Sequence, residues 1–304
     1  MMYRLHFARL GLAGLLGLFI MPLSANEFAQ LKLSTGTQDN VARALHAEDE
    51  ERSTYARAEL GAGKLMQLGL NDSLTVNASI AKEKHFSFSG FDNSEAGVSL
   101  ALQHKFGFGP YTPRIAAELG ATRQFYRGQA RDNTLLSAAL SLEKRFNPAL
   151  RLSAAIDMQT VATDTLPDNP EVSAFGYSPT IRLPYELFDY DSQGIQVSAD
   201  YTFVNRIILM ASVRRTNGST VASTTNPTFK TYKVSSAFYA DPAFNEGWFA
   251  YRLDANTNDW SMAVSLPLGQ DSAIDLAARY LDIAGPARHH YQNRLFTLTF
   301  VQNF

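Results

Sequence analysis

After residue 26, the chain alternates between apolar and polar residues with a period of two over most of its length. Between residues 260 and 268, every second residue is apolar and large: Trp260, Met262, Val264, Leu266 and Leu268. Segments 150–159 and 195–203 repeat this pattern. Successive side chains of a strand point to opposite faces, so the pattern predicts strands with one apolar and one polar face. The sequence therefore predicts an all-β protein.

Two features favour a membrane barrel over a soluble sandwich, whose strands also alternate. The predicted strands run for about 10 to 14 residues, enough for a tilted strand to cross a bilayer, whereas strands usually have about five or six. The connections alternate between tight turns and longer, charged loops. Short turns on one side and longer loops on the other are typical of outer-membrane barrels.

The pattern predicts a transmembrane antiparallel up-and-down β-barrel of about 14 strands, within a range of about 12 to 16. The predicted strands are residues 28–36, 53–67, 72–83, 94–106, 111–124, 133–146, 149–161, 191–204, 206–215, 229–240, 246–254, 259–268, 272–283 and 290–304. Residues 56–67 fit least well, because Lys64 falls on the apolar face unless Gly61 or Gly63 forms a bulge.

Aromatic residues recur at the predicted strand ends. Even-numbered strands should run toward the periplasm, and five of them carry an apolar-face phenylalanine near the lower end: Phe106, Phe146, Phe203, Phe238 and Phe304. Trp260 and Tyr280 lie on the same face at predicted upper ends. Two aromatic rings at the two membrane interfaces are expected of a lipid-facing barrel.

The closing segment, residues 296–304, resembles the C-terminal strand of Gram-negative outer-membrane β-barrel proteins. That strand ends in phenylalanine and carries aromatic or apolar residues at alternate positions before it. The matching residues are Phe296, Leu298, Phe300 and Phe304, whereas Gln302 replaces the usual aromatic residue. The resemblance implies an integral outer-membrane location and recognition by the barrel assembly machinery, with periplasmic chaperones as earlier partners.

The N-terminus has the pattern of a secretory signal peptide. Arg4 and Arg9 precede the apolar run Leu10–Leu23, and Ser24-Ala25 follows it. This combination predicts a signal peptide over residues 1–25, cleaved after Ala25, followed by one barrel domain over residues 26–304. Without Arg4 and Arg9, 25 basic residues stand against 29 acidic ones, a balance that gives no reason to expect nucleic acid as a partner.

The polar face of the predicted strands supplies candidates for a lumen lining. The charged candidates are Arg57, Glu59, Arg114, Glu118, Glu143, Arg145, Arg151, Asp157, Asp200, Arg252, Asp275 and Arg279. Many small residues stand between them. A charge buried alone in a dry interior costs several kcal/mol, so such a lumen should be wet or hold paired charges. A barrel of this size lined by small residues should leave open space.

The lumen lining predicts a porin-like channel for passive diffusion of small polar or charged solutes, in which rows of opposite charge create a transverse field. A salt-bridged interior that only supports the wall is the other interpretation. An export or assembly barrel for a surface polysaccharide or protein, and a barrel hydrolase with a loop-borne site, are alternative functions. The expected partners are outer-membrane lipids, lipopolysaccharide and small polar solutes.

The outer loops leave several interpretations open. The longest, at about residues 162–191, is rich in acidic and aromatic residues; it folds into the lumen, caps the barrel or lengthens strands. Arg123 and Arg131 are expected to face lipopolysaccharide or to pair with that loop. The acidic run Glu48–Glu51 is better interpreted as a solvated loop tip than as a Ca²⁺ site.

A search for catalytic chemistry finds no constellation. A serine hydrolase needs a histidine beside the serine, oriented by a third polar group. His104 falls on the apolar face, and His46, His85, His289 and His290 are assigned to outer loops without such a motif. With no cysteine, disulfides and thiolate metal sites are excluded. We therefore predict no catalytic, metal or cofactor site and no enzyme activity.

Overall fold

The computed structural model describes residues 26–128, 131–164, 187–227, 231, 235, 237–241, 243–244 and 246–304. The strands in these ranges are β1 (Glu27–Gln38), β2 (Ser53–Gln67), β3 (Asp72–His85), β4 (Asn93–Lys105), β5 (Arg114–Tyr126), β6 (Asn133–Arg145), β7 (Leu150–Thr163), β8 (Tyr190–Thr202), β9 (Ile208–Thr224), β10 (Ala237–Ala240), β11 (Phe249–Pro267), β12 (Ser272–Ala284) and β13 (His290–Asn303). Short 3-10 helices span Ala47–Asp49, Ser89–Phe91 and Pro286–Arg288. Within the described ranges, no helix has the length and apolarity needed to span a membrane.

Twelve of these strands form a closed antiparallel barrel. Each strand from β1 to β8 pairs with the next, β9 pairs with β11, β11 and β13 both pair with β12, and β13 pairs with β1. We call the end with the tight turns and the first residue of β1 the lower end, and the opposite end the upper end. The predicted all-β barrel is confirmed, but the count is 12 strands rather than 14.

The miscount arises in the segment from 229 to 268. Two predicted strands, 246–254 and 259–268, form the single 19-residue strand β11. Residues 254–258 have the composition of a turn, yet they pair without a break with residues 215–219 of β9. Long-range pairing here outweighs local propensity. Within the predicted strand 229–240, the strand in the described residues is the short β10, which pairs with Phe249–Arg252 of β11 and is not one of the twelve wall strands.

The polar face of the wall points inward. Arg57 on β2 reaches Glu95 on β4 at 2.7 Å, and Tyr55 on β2 reaches Thr297 on β13 at 3.2 Å. Each pair passes over an intervening strand, and side chains two strands apart can meet only on the concave side of a barrel. The opposite face exposes rows of apolar side chains, such as Val98, Leu100 and Leu102 on β4. Such an inside-out arrangement is that of a transmembrane barrel.

Aromatic side chains lie outward at the lower end. Phe106, Phe146, Phe203 and Phe304 are all exposed and share the outward face. The prediction for Phe238 was wrong: its backbone belongs to β10 and is opposite Tyr251, near the upper end of β11. The sequence analysis had counted residues 229–240 as a strand of the wall and therefore placed residue 238 at the lower end of the barrel.

Trp260 and Tyr280 mark the upper limit of the outward apolar band. They are direct partners on β11 and β12, and their ring centroids are 5.5 Å apart. Above Trp260, β11 continues, with Asn258 and Asn256 at the outward positions. The aromatic pair therefore lies in mid-strand, because β11 extends well beyond the apolar band.

No bulge resolves the misfit of Lys64. The β1–β2 ladder is uninterrupted from Glu27 opposite Lys64 to Gln38 opposite Ser53. Lys64 remains on the outward face, where its Nζ lies 2.9 Å from a carboxylate oxygen of Glu27. Both residues lie at the lower edge of the wall, where a charged pair can remain in contact with water.

Candidate functional site

Four of the predicted charged residues form one row across four strands on the inward face near the lower end. Arg114 on β5 donates to Glu143 on β6 at 2.6 Å. Arg151 on β7 lies 3.5 Å from Glu143 and donates through Nε to Asp200 on β8 at 2.7 Å. The row alternates in charge, so each cation has an acidic neighbour.

A second cluster lies on strands β1 to β4. Arg57 is placed among three glutamates, at 2.7 Å from Glu95, 3.2 Å from Glu59 and 3.6 Å from Glu83. Lys32 on β1 lies 3.1 Å from the other side of Glu59. The sequence pattern identified Arg57 and Glu59. Glu83 and Glu95 occupy the same inward parity and are additional members.

Two further ion pairs join inward-facing residues of β7, β9, β11 and β12. Asp157 on β7 accepts from Arg214 on β9 at 2.5 Å, across β8. Gly194 on β8 permits this contact, because a Cβ there would lie 2.9 Å from both side chains. Arg279 on β12 donates through Nε to Asp259 on β11 at 2.8 Å.

The remaining predicted lumen residues are not joined to these clusters. Glu118, Arg145 and Asp275 have inward parity, but no ion pair connects them within the described chain. The position predicted for Arg252 was wrong. It shares the parity of Trp260 on the continuous strand β11 and donates to the carbonyl of Asp189 at 2.6 Å. The sequence analysis had predicted a break in the strand between residues 254 and 259, and this break allowed Arg252 to be assigned to the inward face.

The connection between β1 and β2, residues 39–52, crosses the upper end of the barrel. Its Asp49 is buried and accepts hydrogen bonds from Thr224 Oγ1 at 2.6 Å and from the Thr225 amide at 3.1 Å. The Ala42 carbonyl accepts from the Ser223 amide at 2.8 Å. The loop is therefore fastened to the end of β9. The interpretation of residues 48–51 as a solvated loop tip was wrong for Asp49, which is buried. Its hydrogen-bond partner Thr224 lies 175 positions away along the chain, so no local sequence pattern indicated the contact.

Other connections meet this loop in a cluster that we call the outer crown, formed by Val41, Ala42, Ala44, Phe88, Phe91, Arg131, Phe188, Asp241, Phe244 and Trp248. Phe244 packs against Phe88 and Phe91, with ring centroids 5.0 and 5.2 Å away, and stacks on Trp248 at 4.3 Å. The Arg131 guanidinium lies over the rings of Phe91 and Phe188, at 4.9 and 4.5 Å. The crown narrows the upper end of the barrel.

The long loop at residues 162–191 was a candidate constriction, and residues 165–186 lie outside the described residues. Its described end includes Leu187 and Phe188, both buried against Ala250. Arg123 does pair with Asp164 of this connection, as one interpretation predicted. Arg131 instead pairs with Asp241.

Two cavities lie inside the barrel, and residues of the crown line the first of them. One, of about 340 Å³, is lined by residues from β1 to β9 and β13, including Tyr55, Glu83 and Tyr126. The other, of about 190 Å³, is lined by β7 to β9 and β11 to β13. Arg43 and Tyr190 line both cavities. Together the two cavities touch every strand of the wall, so they belong to the lumen.

Arg43 of the crossing loop was missed by the sequence analysis. Its backbone φ is 52°, in the left-handed region, and its Nη1 donates to Thr220 Oγ1 on β9 at 3.0 Å. The side chain is exposed inside the barrel. The sequence of a loop has no pattern that distinguishes an arginine that faces the lumen from one that faces bulk solvent.

Larger concavities lie on the outward face and are not part of the lumen. They measure about 760 and 610 Å³ and are lined mainly by outward apolar side chains, such as Met262, Phe296 and Ile156. Their position on the apolar band suits contact with hydrocarbon.

The structure does bring a serine, a histidine and a carboxylate together. Ser53 Oγ lies 2.8 Å from His85 Nδ1, and His85 Nε2 lies 3.0 Å from Glu83. The side chain of Ser53 is fully buried, so a substrate carbonyl has no access to its hydroxyl. His289 is also buried, and His290 binds Asp282 on the outward face at 2.6 Å. Among the described residues, no group of three or more ligating side chains is arranged to hold a metal ion.

Comparisons with known proteins find similar solved structures but no related sequence. No protein-family model and no curated protein sequence matches the chain. An outer-membrane channel from Pseudomonas putida F1 superimposes with a TM-score of 0.57 at 10% identity, over 93% of this chain and 97% of that one. The KdgM porin in complex with disordered oligogalacturonate gives a TM-score of 0.42 at 8% identity, over 90% and 99% of the two chains. The NanC porin gives 0.44 at 9% identity, over 90% and 98%. The superposition on the Pseudomonas putida channel shows that this chain has the fold of an outer-membrane β-barrel channel.

Proposed function

We propose that this protein is a porin-like channel for the passive passage of small polar or charged solutes across the bacterial outer membrane. The observation that carries the proposal is the pair of polar cavities inside a wall lined by opposed charges. Ionised groups are retained in a barrel interior when they are paired and hydrated. Glu118 is exposed on the inward face without an ion-pair partner in the described chain, which supports a wet lumen.

Size selection follows from the strand number and the crown. A barrel of twelve strands is narrower than one of fourteen, because diameter grows with strand number. The crossing loop and the crown reduce the upper lumen to cavities of about 340 and 190 Å³. Such volumes suit single small molecules. They disfavour the alternative of a folded protein or polysaccharide passing through this conformation.

The environment we propose places the outward apolar band in lipid, with the lower end in the periplasm. Phe296, Leu298, Phe300 and Phe304 all lie on the outward face of β13, the strand that closes the barrel against β1. We propose that they form the signal for the assembly machinery. Residues 1–25 lie outside the described residues, and their role as a cleaved signal peptide is part of the proposal. Catalysis is not part of it, because Ser53 is inaccessible.

Liposome swelling tests the proposal. Folded protein in phosphatidylcholine vesicles should admit arabinose faster than glucose, and glucose faster than raffinose, because the cavities favour small solutes. Vesicles containing heat-unfolded protein serve as the control. No swelling with any of these sugars, from protein shown to be folded by its heat-modifiable electrophoretic mobility, would overturn the proposal.

A further inference from the structure

Among the described arginines that line the two cavities, Arg43 differs in having no acidic partner. In the part of the chain that the structure describes, Arg43 takes part in no ion pair, and its Nη1 donates to the hydroxyl of Thr220 at 3.0 Å. Its side chain is exposed at the junction of the two cavities. A guanidinium satisfied by only one hydroxyl retains several donors for another molecule.

The other charges that line these cavities are already compensated. Arg131 is bound by Asp241, Arg214 by Asp157, and Arg279 by Asp259. Glu83 faces Arg57 and is held by His85. Each of these groups has an opposite charge or a hydrogen-bond donor beside it. Arg43, where the two cavities meet, therefore supplies the positive charge that a solute can bind.

The backbone that carries Arg43 is fixed on both sides. Asn40 accepts from the Ala44 amide at 2.8 Å and donates to the Ala44 carbonyl at 3.1 Å, which closes the short turn around Arg43. Asp49 and Ala42 bind the end of β9, as described above. The left-handed φ of Arg43 is held by these contacts. A donor group so placed is preorganised for a ligand.

The surroundings of Arg43 define the chemical class of that ligand. Guanidinium presents a planar fork of donors that matches a carboxylate. Around it, the cavities offer phenol and hydroxyl groups, among them Tyr190, Tyr291, Ser192 and Thr216. These neutral groups donate to and accept from the hydroxyls of a polyol. The combination suits a small molecule with one carboxylate and several hydroxyls.

We infer that Arg43 is the solute-binding residue of the lumen, and that it selects small polyhydroxylated carboxylates over neutral sugars of the same size. The inference rests on the proposed channel function and adds a substrate class to it. The solute's carboxylate would bind Arg43, and its hydroxyls would contact the tyrosines and small polar side chains of the two cavities.

The test uses glucuronate and glucose, which differ at a single carbon by a carboxylate in place of a hydroxymethyl group. Glucuronate should reduce the single-channel current of the wild type at concentrations where glucose has little effect. Arg43→Gln keeps a polar, hydrogen-bonding side chain and the strain at this φ, but it is shorter and removes the charge. We expect it to weaken block by glucuronate about tenfold, as for loss of a charge-assisted hydrogen bond. Block by glucose should not change.

Matched variants separate selectivity from structure. Arg206 also has a positive φ, 66°, but lies in a tight turn at the lower end, so Arg206→Gln should leave block by glucuronate unchanged. Arg43→Lys keeps the positive charge but lacks the planar fork of donors, so it should bind glucuronate more weakly than the wild type and more tightly than Arg43→Gln. Steady currents blocked equally by glucose and glucuronate, or equally in wild type and Arg43→Gln, would overturn the inference alone. Folded protein that gives no current would instead overturn the channel proposal.

Discussion

Arg131 donates two hydrogen bonds from one guanidinium nitrogen to the carboxylate of Asp241, at 2.9 and 2.8 Å, although the two residues are 110 positions apart. The Asp241 side chain is completely buried, and that of Arg131 is 16% exposed. Asp241 also accepts from the Ala243 amide at 3.0 Å and from the Ser223 hydroxyl. This pair therefore joins two connections of the outer crown, β5–β6 and β9–β11, to the end of β9.

Breaking this pair should loosen the crown without opening the wall. Asp241→Asn leaves the Arg131 charge buried between two aromatic rings, and removal of one partner of a buried ion pair costs about 3–5 kcal/mol. The chain has two tryptophans, Trp248 in the crown and Trp260 in the wall. In a Trp260→Phe background, urea titration of Trp248 fluorescence should show the crown unfolding at lower urea in Asp241→Asn.

The control is another arginine–aspartate pair at the same end. Asp164, the partner of Arg123, is 60% exposed, so Asp164→Asn should change the stability by less than about 1 kcal/mol. Equal effects of Asp241→Asn and Asp164→Asn on Trp248 would show that burial of the pair does not stabilise the crown.

Replacing residues 227–247 by a four-residue Asn/Gly turn should leave a closed barrel. Thr224 already pairs with Phe249, so a short turn can join β9 directly to β11 as a hairpin. The variant should fold by heat-modifiable mobility and admit larger sugars in liposome swelling, because it lacks Asp241 and Phe244. Deleting the wall strands β7 and β8 is the contrasting control and should prevent folding. Loss of the folded form on replacing 227–247 would mean that this segment is needed to build the wall.

The two faces of β4 should respond differently to the same charge. Leu100 lies outward in the middle of the apolar band and is 48% exposed, whereas its neighbour Ser99 lies inward. Leu100→Arg should lower the free energy of unfolding by about 2–4 kcal/mol in vesicles, because the charge enters hydrocarbon. Ser99→Arg should have a much smaller effect, since a hydrated lumen accommodates the guanidinium. Trp260 fluorescence during urea titration measures both; a larger loss in Ser99→Arg would contradict the assigned faces.

The period-two pattern was sufficient to predict what lies along regular strands. Arg114, Glu143, Arg151 and Asp200 were identified from alternation alone, because parity fixes the face of a strand residue whatever its neighbours are. The same rule failed at Arg252, where a turn-like segment inside β11 reversed the assumed parity. Alternation gives the face only within an unbroken strand, and whether a strand is broken depends on its partner.

The residues of the crown and the crossing loop had no comparable signal. Arg43, Arg131 and Asp241 lie in connections, where no periodicity marks a direction. Their contacts join positions far apart in the chain, such as Asp49 with Thr224. Loops that bind each other across a barrel mouth depend on long-range geometry, which local propensity does not encode. The candidate binding site at Arg43 thus lies in a loop, where the alternation of apolar and polar residues predicts no side-chain direction.

The central claim, that the inward face bounds a water-filled path for solutes, is most directly tested on two adjacent residues of β8. Ser198 lies inward, opposite Ser153, and Val197 lies outward and is 57% exposed. The chain has no cysteine, so Ser198→Cys and Val197→Cys each introduce a single thiol. In planar bilayers, a charged, membrane-impermeant methanethiosulfonate reagent should reduce the current through Ser198→Cys in one step and leave Val197→Cys unchanged. Block of Val197→Cys with Ser198→Cys unaffected, or folded protein that carries no current, would contradict the claim.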